Sequence, residues 1–441
     1  MDSSSLARLD QVSRHPLIAK GVRSIRIVLD FYAAELGEGF YGLFPYFQQK
    51  MWRVVREWRS LEDEQDTERN ETARSAAIAR IGNLFASWYK FAMQVPDSYL
   101  DDQDRADIQL LRRAQDLYCQ AYLEQQQMRF SGDFSRAVAK AIARMPVARS
   151  LVFTDHDKFV ERRSASLTED TESPGLLIAN IIRPMTWCDA DIYRISSEPV
   201  EQLTQIPLVL HRAGVVLENI NYQVAPCGGC ARLVVHGEDH THLKAAMQGL
   251  KSFTFWPYAV RYSFLADDDY ELRQLMEFVS TCTDTDSIQD ISVNMAFLWP
   301  RLEMARLSAG SLLLTREWPR LRRIRFRGTL RFSELRKFYA WSRGQVEVFL
   351  DHVRLISGSW ADVLDIMREN TRAGTRWSGI SSARGAEYDN MSYQQRLIGS
   401  FNVPYFDSIC ICNTYIRGLQ PFNPFRYIGE VDNGSSDTDS E

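Results

Sequence analysis

Two groups of side chains in this sequence have residue types and spacing that could do chemistry. The first lies in APCGGCARLVVHGEDHTH (225–242). Cys227 and Cys230 form a CxxC, followed by His236, His240 and His242. Zinc takes thiolate and imidazole ligands at short spacings of this kind. Cys227, Cys230, His236 and His240 would supply four donors. A Gly228-Gly229 turn between small residues explains the same letters without a metal, and the gap between the Cys and His pairs is shorter than in most zinc motifs. A redox role for the CxxC lacks a preceding βαβ context.

The second group is cationic. In WPRLRRIRFRGTL (318–330), Arg323, Arg325 and Arg327 alternate with Ile324 and Phe326. That is the period of a strand with one apolar and one wet face. Guanidinium groups fork onto carboxylate or phosphate, so three on one face, with His352 and Arg354 nearby, suit an acidic or phosphorylated segment. Internal neutralisation by ADDDYELRQLMEFVSTCTDTDSIQD (266–290) or by the acidic C-terminus is the competing reading. The wider stretch 316–343 holds ten Lys or Arg with interleaved aromatics, but nucleic acid is disfavoured. The last twelve residues carry five of the 57 acids, leaving 52 acids against 52 bases in the body. A neutral body gives no field to hold phosphates.

Other catalytic signatures are missing. There is no G-x-S-x-G and no P-loop, and Gly37-Glu38-Gly39 sits in an aromatic loop rather than directly after a strand. Asp155-His156-Asp157 and Asp267-Asp268-Asp269 read as loops rather than as base or calcium sites. The expectation is binding without catalysis and without a cofactor.

The elements that must position these groups come from the rest of the chain. With 441 residues, 45% hydrophobic and 25% charged, the composition is that of a globular protein. Seven cysteines in a chain of this length do not make a disulfide framework. The polar start MDSSSLARLDQVSRHP has no signal-peptide core. No apolar stretch reaches the length of a membrane span. These features predict a cytoplasmic or nuclear protein that does not engage membranes. The tail 430–441 is predicted to be disordered.

Two patterns alternate along the chain. Residues 33–145 are predicted helical, with apolar stripes such as Ile78, Ile81, Phe85, Trp88 and Phe91, and a stop before Pro96. The second pattern is apolar, two free, apolar, one free, apolar. It occurs at Val22, Ile25 and Ile27, at Ala148, Leu151 and Phe153, and at Leu217, Ile220 and Tyr222. It recurs from Leu250, Ile288, Leu321 and Leu350, the last five copies starting 33, 38, 33 and 29 residues apart. That spacing fits one strand and one helix per unit, loosely as in leucine-rich repeats. The predicted fold is α/β: an irregular leucine-rich-repeat-like solenoid of stacked parallel strands and helices over 146–429, with segment 1–32 supplying a first strand. A plain α/β domain with several parallel strands is the alternative.

SRHPLIAKGVRSIRIVLDFY (13–32), QAYLEQQQ (120–127), AIARMPVARSLVFTDHD (141–157), WPRLRRIRFRGTL (318–330) and VRLISGSWADVLDIMRE (353–369) resemble a filamentous-fungal family. These are F-box and leucine-rich-repeat-like proteins, and the resemblance runs over about 13–429. It implies the substrate-receptor body of a ubiquitin-ligase adaptor. The family's F-box, a helical unit opening on a Leu-Pro step, is not recognisable here. Docking to a Skp-type adaptor is therefore open, and a free-standing interaction scaffold stays as the alternative.

Stacked in register, the strands would align their outward residues in columns. Asn221, Thr254, Ser292, Arg325 and Arg354 fall in the central one. Gln223, Trp256, Asn294 and Arg327 fall in the next. The expected partner-binding residues are Arg323, Arg325, Arg327, Arg354 and His352, with Trp256 as an aromatic anchor and Asn294 as a polar contact.

Overall fold

The computed structural model describes residues 2–37, 42–50, 52, 67–155, 173–193, 195, 198–225, 230–233, 237–257, 269–296, 302, 307–342, 345–373, 378–386 and 411–426. Among them, eight strands form one parallel sheet in chain order. They are β1 (Ser24–Val28), β2 (Ser150–Thr154), β3 (Asn219–Gln223), β4 (Ser252–Phe255), β5 (Asp290–Asn294), β6 (Arg323–Arg331), β7 (Glu347–Ser357) and β8 (Gly379–Gly385). Parallel neighbours need a crossover between them. Helices Gln202–Arg212, Glu238–Met247, Asp269–Thr283, Phe332–Ser342 and Trp360–Ala373 supply five, and a 3₁₀ segment, Ala309–Leu314, lies between β5 and β6. Taken in chain order with the 3₁₀ segment in its place, each member of this set packs against the next.

The six-letter segments are the strands. In β3 to β6 their apolar letters face inward: Leu217, Ile220, Tyr222, Leu250, Phe253, Phe255, Ile288, Ile291, Val293, Leu321, Ile324 and Phe326 are all buried. A rung repeats at the strand entrances, where two successive amides share one carbonyl of the preceding strand. Lys251 and Ser252 donate to Glu218 O (2.7 and 3.1 Å), Gln289 and Asp290 to Lys251 O (2.7 and 3.0 Å), and Arg322 and Arg323 to Gln289 O (2.8 and 3.1 Å). Aromatic rings fill the space behind the sheet. Tyr222 stacks on Phe153 with ring centroids 5.1 Å apart and meets Phe278 edge-on at 5.5 Å. Its hydroxyl donates to Leu203 O at 3.1 Å, which satisfies the one polar atom this core ring carries.

The chain divides into two compact units that are not contiguous in sequence. One comprises residues 13–27, 139–153 and 200–441 and contains nearly all of the sheet. The other comprises residues 1–12, 28–138 and 154–199. In the latter, helices Thr67–Ala92 and Asp102–Ser131 pack together. Arg80 forks onto the buried Asp107 at 2.7 and 2.6 Å. Asp101 and Asp104 form a reciprocal capping box, and Gly132 (φ 69°) ends the second helix in the left-handed conformation that favours glycine. Residues 53–66 of the region predicted helical and the tail 430–441 lie outside the described residues. No helix among the described residues is long and apolar enough to cross a membrane.

Candidate functional site on the polar face of the sheet

The residues between the buried letters of β3 to β6 line up on the opposite face as the columns required. Asn221 pairs in register with Thr254, Thr254 with Ser292, and Ser292 with Arg325. Asn294 pairs with Arg327. An open cleft of about 260 Å³ sits here, lined by Gln223, Thr254, Trp256, Ser292 and Arg325. The short Ser292 on β5 lets the side chains of β4 and β6 reach one another above it. The Arg325 guanidinium carbon lies 4.4 Å from the centroid of the Trp256 ring, and that of Arg327 lies 4.9 Å away. Both distances are within cation–π range.

The two arginines are fixed from the other side by Asp351. Its Oδ2 accepts from Arg325 Nη2 at 2.9 Å and from Arg327 Nε at 2.6 Å. Its Oδ1 accepts from Ser381 Oγ at 2.6 Å and from His352 Nδ1–H at 2.8 Å. Burial alone would raise this carboxyl's pKa. Hydrogen bonds from His352, Arg327 and Ser381, with the Arg327 charge, outweigh burial and hold it well below the usual carboxylate range. A β-bulge places Asp351 there. Phe326 pairs with Leu350 and Gly328 with Val353, so Asp351 and His352 together oppose Arg327. His352 takes a positive φ of 48°, and Ser382 on β8 one of 52°.

That bulge corrects the expected column. Arg354 pairs with Thr329, not with Arg325, whose partner on β7 is Phe349. The six-letter pattern slipped because Gln345 stands where the in-register copy needs an apolar residue. The next match, Leu350-Asp-His-Val353-Arg-Leu355, begins five residues late. Arg325 and Arg354 are therefore not neighbours across the β6–β7 pair.

Much of the cationic strand is neutralised, as the competing reading held. Arg323 pairs with Glu347 at 2.9 Å and more loosely with Asp290 at 4.0 Å. Arg325 and Arg327 share Asp351. Asp290 belongs to the acidic stretch suspected from sequence, but Glu347 and Asp351 come from β7. Arg316 engages Asp284 and Asp286. Asn294 does not project as a contact residue. It is buried, donates from Nδ2 to Pro257 O (3.2 Å) and accepts from the Ala296 amide (3.0 Å), so it braces the turn after β5.

Asp351 is the residue that sequence reasoning missed. Its signal was a lone acid between the buried Leu350 and Val353, in a strand adjoining three arginines. Cys227 and His236 of the suspected zinc cluster lie outside the described residues, as does the Cys230 side chain. His240 lies on helix Glu238–Met247. Among the described residues no group of three or more His, Cys, Asp or Glu could hold a metal. No protein-family profile, curated protein or solved structure matches this chain.

Proposed function

We propose that the chain is a protein-recognition scaffold: an irregular leucine-rich-repeat-like solenoid whose polar sheet face docks an acidic or phosphorylated segment of a partner protein. The observation that carries this reading is the Trp256 indole held against Arg325 and Arg327 at an open cleft. An aromatic anchor beside a guanidinium is the combination that dominates many protein interfaces. Because Asp351 fixes the arginines in advance, little side-chain entropy remains to be lost on docking. Among the described residues the site offers hydrogen-bonding groups and one aromatic wall, features that suit binding.

The sequential strand order and the repeated rung support the solenoid. With the resemblance of 318–330 and 353–369, they favour the substrate-receptor body of a ligase adaptor over an unrelated scaffold. Co-purification with a Skp-type adaptor is the expected result for that role, and no adaptor binding leaves the free-standing scaffold.

Charge reversal tests the docking face. Arg325→Glu should cut retention on immobilised peptides carrying Glu or phosphoserine by about tenfold or more. Arg354→Glu, opposite Thr329, should leave retention unchanged. Equal retention by wild type and Arg325→Glu contradicts the proposal.

A further inference from the structure

Resting on that reading, we infer that the cleft itself takes a tyrosine side chain of the docked segment, while the segment's acid meets the arginines beside it. The argument is the chemistry of the lining. The cleft opens beside the Trp256–Arg325 contact and holds about 260 Å³, room for one large side chain. Its lining is an indole, a guanidinium, an amide and two hydroxyls, with no purely aliphatic side chain. Both flat groups accept an aromatic ring. The indole does so by edge or offset contact, and the guanidinium through its charge over the π-face.

The hydroxyls decide which ring. Thr254 and Ser292 pair in register on β4 and β5. Both residues are half-buried, and neither hydroxyl makes a hydrogen bond among the described residues. Water serves them while the cleft is open. A phenylalanine or leucine would expel that water and leave two hydroxyls without partners, which costs affinity. A phenolic oxygen both donates and accepts. Neighbouring strands stand about 4.8 Å apart, so one oxygen placed between Thr254 and Ser292 can bond to both. A glutamine would satisfy the hydroxyls but brings no ring to Trp256. Tyrosine brings both.

The acid has a place two residues away. Side chains of an extended segment alternate, so two that face the sheet together are two positions apart. Arg327 lies two residues beyond Arg325 on β6 and contacts the same indole. The expected motif is therefore a tyrosine with Asp or Glu two residues from it.

The test uses the whole chain and acetylated, amidated peptide pools. Each pool carries Glu two residues before and two after a central Tyr, Phe, Leu or Ala, and the other positions are randomised among uncharged, non-aromatic residues. One further Tyr pool carries Gln in place of both Glu. Fluorescence anisotropy should show the Tyr pool bound about tenfold or more tighter than the Ala pool, and about threefold or more tighter than the Phe pool. Joint replacement Thr254→Val and Ser292→Ala removes both hydroxyls at nearly constant shape. It should bring the Tyr pool down to the affinity of the Phe pool and leave the Phe pool unchanged, a difference that a packing role alone does not move. If the double variant loses the wild-type circular dichroism spectrum, Ser292→Ala alone should narrow the gap between the two pools, and an unchanged gap overturns the inference. A Tyr pool bound no tighter than the Phe, Leu or Ala pool, or a Tyr preference that survives the double replacement, also overturns it. In those cases tighter binding of the Glu-flanked than of the Gln-flanked Tyr pool leaves the docking of an acidic segment standing. Equal binding of the Glu-flanked and Gln-flanked pools overturns that reading and this inference together.

Discussion

Asp351 binds Arg327 at 2.6 Å from within a bulge that sets two residues of β7 against one of β6. The backbone irregularity and the ion pair are thus one feature. The bulge turns the carboxylate onto the polar face, where it fixes both arginines that contact Trp256.

Replacing Asp351 by Asn should therefore cost stability at neutral pH. The carboxylate is buried, but Arg325 and Arg327 are 40% and 23% exposed, so solvent screens part of the interaction. The loss expected is about 2 kcal/mol, below that of a fully buried pair. The pH dependence has a definite sign. The folded-state pKa of Asp351 is depressed, so its contribution is complete above the unfolded value of about 3.9. It is lost as pH falls through that value toward the lower folded one. Urea midpoints measured between about pH 6 and pH 3 should fall more steeply for wild type than for Asp351→Asn.

Gly358 turns the chain from β7 into helix Trp360–Ala373 at a φ of 95°, and a Cβ there would lie 2.3 Å from Phe332 Cβ. Gly358→Ala should destabilise the protein by about 2 kcal/mol or more, because both the backbone conformation and the space exclude a methyl group. Thermal melting checks this, and an unchanged midpoint would count against the described turn.

Asp365 ties residues 411–426 to helix Trp360–Ala373. It accepts from the Tyr415 hydroxyl, from Asn423 Nδ2 (2.7 Å) and from Arg426 Nη2 (2.8 Å). Burial works against ionisation, but these hydrogen bonds prevail and lower its pKa. Asp365→Ala should cost about 1 to 2 kcal/mol. Amide exchange should rise within 411–426 and helix Trp360–Ala373 while β3 to β5 stay protected.

Much of the fold was legible in the sequence because a strand's buried face is written locally. Leu250, Phe253 and Phe255 announce β4 with no knowledge of its neighbours. Pairing between strands is not local, and there the reading slipped. A bulge leaves no periodic trace, so β7 was placed five residues late and Arg354 was set beside Arg325. Trp256 and Arg325 were legible as outward residues of adjoining units. Asp351 was not, since its role depends on a backbone kink. Asn294 shared the outward parity of Trp256 yet turned inward to hold Pro257 O.

The central claim is that the Trp256–Arg325 cleft is where a partner docks. Trp256 is half-buried on the polar face, outside the aromatic core around Tyr222, so Trp256→Ala should preserve the fold. The most direct measurement is the affinity of a peptide carrying Glu or phosphoserine for wild type and Trp256→Ala at matched salt. The account predicts a loss of about tenfold or more with an unchanged melting temperature. Equal affinity in the two proteins would contradict it.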